Sequence, residues 1–74
     1  MNTFPKKFVV ERIKNNYPVG CRVQLDSMED PYHKIPVGNC GTVKAVDDIG
    51  TIHVSWDCGS SLGIVYGEDH CHKI

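Results

Sequence analysis

The chain has 74 residues, 41% hydrophobic and 23% charged, with eight Lys and Arg against nine Asp and Glu for a formal net charge of −1. That is room for one small domain spanning 1–74, and no stretch approaches the roughly 18 apolar residues of a membrane span. Collagen-like, coiled-coil and polybasic nucleic-acid-seeking classes are excluded by the same composition. The opening Met1-Asn2-Thr3-Phe4-Pro5-Lys6-Lys7 has no apolar signal core behind it, so a cytoplasmic location is expected.

Residues 3–17 are predicted as the one helix. Thr3 stands as N-cap, with Pro5 inside the first turn, where its missing N–H costs nothing. Phe4, Phe8, Val9, Ile13 and Tyr17 recur at helical spacing, and Lys6, Lys7, Glu11, Arg12 and Lys14 take the other face. Tyr17-Pro18 ends it, because the residue before proline is pushed out of the α region.

After Pro18-Val19-Gly20 the period changes to two. Cys21, Val23 and Leu25 alternate with Arg22, Gln24 and Asp26, which predicts a half-buried strand. Asp30 to Gly38 carries two prolines and is expected as a long, stiffened loop. Thr42 to Val46 is the second strand. In the third, Ile52, Val54 and Trp56 share a face against Thr51, His53 and Ser55. Asp47-Asp48-Ile49-Gly50 between them is a hairpin turn that needs glycine's access to positive φ. Cys58-Gly59 makes a second tight turn. Leu62, Ile64 and Tyr66 mark a fourth strand, and His70 to Ile74 a short fifth after the break at Gly67-Glu68-Asp69.

About five short antiparallel strands at this spacing, one long loop and two tight hairpins give a mainly-β fold class. The ordering is that of a small SH3-like barrel over 20–74, closed or nearly closed. The helix is expected to cover one open end and bury Phe8 and Ile13 there. A single core this small rarely leaves more than about 3–5 kcal/mol of net stability, which favours a binding surface over a deep, strained catalytic pocket.

The four thiols, Cys21, Cys40, Cys58 and Cys71, contain no C-x-x-C pair. Structural zinc sites draw ligands in such pairs, and disulfides need an oxidising compartment that nothing here directs the chain towards. Reduced thiols, some serving as small core hydrophobes, are the favoured reading. Asp69-His70-Cys71-His72 is the most metal-like run, since His70 and His72 share one face of a strand. A third ligand, His33 or His53, would have to reach it. The simpler expectation is that Cys71 packs inward and both imidazoles stay solvated, with no cofactor and no metal. The carboxylate pairs Glu29-Asp30, Asp47-Asp48 and Glu68-Asp69 fall on turns, where Asp bonds nearby N–H groups. They read as turn-formers before acid–base couples. Gly59-Ser60-Ser61-Leu62-Gly63 is too short for a phosphate loop.

Glu11-Arg12-Ile13, Tyr17-Pro18-Val19-Gly20, Ser27-Met28-Glu29-Asp30-Pro31-Tyr32, Gly41-Thr42-Val43, Val46-Asp47-Asp48-Ile49-Gly50 and Trp56-Asp57-Cys58-Gly59-Ser60-Ser61-Leu62 together resemble domain-of-unknown-function family 4314. The resemblance covers about residues 8–74. It implies an SH3-like barrel carried by bacteria, often on phages or mobile elements, and it brings no catalytic residues. Two positions depart from the pattern. Cys58 stands where Asn is usual, which suits a positive-φ turn less well, and Cys40 stands at a position that tends to be polar or charged. A looser similarity reaches KOW-like barrels with a Gly-Thr-Val … Val-x-Trp-Asp-x-Gly core.

A non-enzymatic module binding another protein through the loop 27–39 and the adjacent barrel face is therefore the leading expectation. Its candidate contact residues are Asp30, Tyr32, His33 and Lys34 on the loop, with Trp56 and Asp57. Trp56 shares parity with Ile52 and Val54, which favours burial over a stacking platform. RNA or DNA binding is the alternative, through Lys6, Lys7, Arg12, Lys14 and Arg22, against a net charge near zero. Metal binding at His70 and His72 ranks third.

Overall fold

Proline at position 18 sets where the helix stops. In the computed structural model, which describes residues 6–28 and 35–74, α1 runs Lys7–Asn16. Tyr17 then leaves the helical region at φ −124° and ψ 67°, its N–H still donating to the Ile13 carbonyl. At the other end Lys6 is extended, and its carbonyl accepts from the N–H groups of Val9 and Val10. Thr3, Phe4 and Pro5, expected in the first turn, lie outside the described residues.

The inward stripe of α1 is Val10, Ile13 and Tyr17, with Val10 only 5% exposed and the other two half-buried; Ile13 and Tyr17 pack against the core. Phe8, expected beneath the helix, is instead 60% exposed. Two residues from Val10 is about 200° around the helix, so burying Val10 turns Phe8 to the opposite side. Its ring there lies 6.0 Å from the Arg12 guanidinium, one turn along the same face.

Five strands follow: β1 Arg22–Ser27, β2 Cys40–Val46, β3 Ile52–Trp56, β4 Gly63–Ile64 and β5 His70–Lys73. They form one antiparallel sheet in the order β4-β3-β2-β1-β5. Strict alternation along β3 sends Ile52, Val54 and Trp56 inward. They meet Val23 and Leu25 of β1, Val43 of β2, Ile64 of β4 and Ile35 from the β1–β2 connection in one core. Bulges between Leu25 and Ser27 and between Val43 and Ala45 interrupt the ladders, and such insertions bend a sheet and increase its twist.

The closed barrel expected from strand spacing is not what the pairing gives. The sheet is open, with β4 and β5 at its two ends. The fourth strand, expected to extend from Leu62 to Tyr66, is two residues long. Asp69 ends it: its carboxylate accepts from the Val65 N–H at 3.0 Å while its own N–H donates back to the Val65 carbonyl. The Val65 N–H and carbonyl are thus both taken up within the turn after Ile64.

Gly41 and Gly59 occupy two of the demanding backbone positions. A Cβ on Gly41 would sit 2.5 Å from Val54 Cγ1 and 2.8 Å from the Ser55 carbonyl oxygen, so β2 can lie this close to β3 only without a side chain there. At the β3–β4 turn Gly59 has φ +97°, and no described non-glycine residue has positive φ. Cys58 is therefore compatible with its turn, because the left-handed position falls one residue later.

Candidate functional site

The ends of the expected recognition loop are pinned to the sheet. The Leu25 N–H donates to the Asn39 carbonyl at 2.8 Å, the Gly38 N–H to the Leu25 carbonyl at 2.9 Å, and Gln24 Nε2 to the Gly38 carbonyl at 3.0 Å. Ile35 enters the core and Met28 packs against it from the other end. Val37 stands exposed at the base. Asp30, Tyr32, His33 and Lys34, the four loop candidates, lie outside the described residues.

The other two candidates separate. Trp56 is 2% exposed, and its indole N–H donates to the Leu62 carbonyl at 2.8 Å. It holds the β3–β4 hairpin onto the core and presents no ring to a partner. Asp57, one residue on, faces outward and takes both nitrogens of the Arg22 guanidinium, Nη1 at 2.9 Å and Nη2 at 2.5 Å. Arg22 also donates to Thr42 Oγ1, so the pair ties β1 and β2 to that hairpin. The hydrogen bond from Arg22 holds the Asp57 carboxyl below its ordinary value.

Two of the described histidines, His53 and His72, are each paired with a carboxylate, and His33 lies outside the described residues. His72 Nδ1 lies 2.8 and 2.9 Å from the two oxygens of Asp26, at the β1 bulge. His53 Nε2 lies 2.9 Å from Asp47 Oδ2. Among the described residues no three His, Cys, Asp or Glu side chains come together as a metal-binding group; His72 is paired with Asp26, and His70 lines the cleft described below. Asp47 is a turn-former, as its place in sequence suggests. Its Oδ1 accepts from the Ile49 and Thr51 N–H groups. Burial works to raise the Asp47 carboxyl, but hydrogen bonds from His53 and those two N–H groups outweigh it and keep the carboxyl below its ordinary value.

Two of the candidate basic residues are paired with carboxylates. Lys14 lies 3.5 Å from Asp48, and Arg22 is committed to Asp57 on the sheet. Lys6, Lys7 and Arg12 remain exposed on or beside α1.

An apolar concave feature lies where the sheet fails to close. A cleft of about 360 Å³ opens between the two ends of the sheet under α1. Ile13 and Tyr17 line it from the helix, Ile52 and Ile64 from the sheet, Tyr66 and Asp69 from the turn after β4, and His70 and Cys71 from β5. The walls are mainly apolar and aromatic, and Tyr66 is 50% exposed. The Tyr17 hydroxyl donates to the Cys71 carbonyl at 3.4 Å, which joins the end of the helix to the β5 edge. Burial raises the Tyr17 hydroxyl and pushes the Cys71 thiol up to about 11, with Asp26 and Cys21 adding to the thiol's shift. Both therefore keep their protons at neutral pH, and Cys71 has little thiolate character for nucleophilic chemistry. No disulfide links the four cysteines.

Sequence reasoning placed Ile13, Tyr17, Ile64 and Tyr66 as inward-facing residues and so missed the cleft. The available signal was Tyr66: a large aromatic directly before Gly67, past the end of the strand it was assigned to.

These features define a small mainly-β protein, one open five-stranded antiparallel sheet capped by a short helix, with an apolar cleft at the seam. The chain belongs to the family described as Domain of unknown function (DUF4314), whose model matches residues 6–74. No curated protein and no solved structure matches it. No helix among the described residues is long and apolar enough to cross a membrane.

Proposed function

We propose that the chain is a non-enzymatic protein-interaction module of SH3-like type, docking a partner through the loop 27–39 and the cleft at the β4–β5 seam. The observation that carries this is the cleft: about 360 Å³, walled by Ile13, Tyr17, Ile52, Ile64 and Tyr66. That volume lies at the lower end of the range for binding pockets, and such pockets are mostly apolar with a few polar groups at their edges. Aromatic residues that are half in water, as Tyr66 is, are the type enriched at protein interfaces. The SH3-like reading rests on the strand order β4-β3-β2-β1-β5 and on the one long connection, between β1 and β2. The module would act in the bacterial cytoplasm, whether carried by the bacterium or by a phage or mobile element, where unpaired thiols stay reduced.

The test is affinity capture from a native bacterial lysate, run with and without nuclease and alongside a Tyr66→Asp variant. Tyr66→Asp is expected to keep the wild-type circular dichroism and to lose the captured protein, with nuclease making no difference. Capture that survives Tyr66→Asp would remove the cleft from the interface. Capture abolished by nuclease would turn the reading to RNA or DNA binding, and turnover of a defined substrate would turn it to catalysis.

A further inference from the structure

We draw no further inference here: the strongest candidate, the apolar cleft between the β4 and β5 ends of the sheet beneath α1, belongs to the site already described, and nothing in the structure shows what covers it.

Discussion

Gly41 shows how tightly one position can constrain this sheet. Gly41→Ala would force its Cβ against Val54 Cγ1 and the Ser55 carbonyl oxygen, and overpacking of that kind costs about 1–3 kcal/mol. Because a core of this size rarely supplies more than about 3–5 kcal/mol, the urea midpoint of Gly41→Ala should fall steeply with little change in slope. An unchanged midpoint would mean that β2 and β3 are not this close. Cys71 supplies a second test at the same scale. Its folded value of about 11 lies above the ordinary 9.0, so the folded state holds the proton more tightly than the unfolded chain. The associated stability is fully present below about 9 and is lost as pH rises towards 11. Tyr17 is raised from its ordinary value as well and acts in the same direction. Alkaline unfolding should therefore be displaced to higher pH in Cys71→Ala, and further when Tyr17→Phe is added. Alkylation followed by peptide mass spectrometry should label the exposed Cys58 first and Cys71 last.

The elements differ in how openly the sequence declares them. β3 is legible residue by residue, because Ile52, Val54 and Trp56 alternate with His53 and Ser55 and every apolar member is buried. The helix end is equally plain, since proline admits few conformations before it. The helix phase is harder to read. Phe8, Val9 and Val10 are consecutive apolar residues, so periodicity alone does not say which one faces in; in the structure it is Val10 that is buried. Phe8→Ala should accordingly shift stability by no more than about 0.5 kcal/mol, whereas Val10→Asp should release the helix, seen as lost helical dichroism in a protein that still unfolds cooperatively. Equal effects of the two changes would contradict this phase. At the β2–β3 hairpin the Asp47 carboxyl lies below its ordinary value, so the unfolded chain binds that proton more readily. The hairpin's contribution is present above about pH 4 and is lost as pH falls through the lower folded value. Asp47→Asn should flatten the acid limb of a stability-against-pH curve, modestly, since the carboxylate and its imidazole partner are both partly solvated.

At the level of the whole molecule, the strand succession could be read from alternation and turns, but barrel closure could not. Leu62, Ile64 and Tyr66 have the spacing of a full strand; the Asp69 carboxylate on the Val65 N–H sets its actual length. That bond spans only four residues, and the apolar pattern of Leu62, Ile64 and Tyr66 does not announce it. The cleft was hidden for a related reason. Its walls come from positions 13, 17, 52, 64, 66 and 71 on separate elements, and no local run of residues announces them together. Of the loop 27–39 expected from Pro31 and Pro36, residues 29–34 lie outside the described residues, and its described ends are fixed by backbone bonds to Leu25 and by Ile35 in the core. Trp56 is the only tryptophan in the chain, and it shares the interior with Ile52 and Ile64, two walls of the cleft. The molecule thus carries its own optical reporter: an event at the seam that shifts either isoleucine alters the surroundings of a shielded indole, and the emission spectrum can follow it without any attached dye.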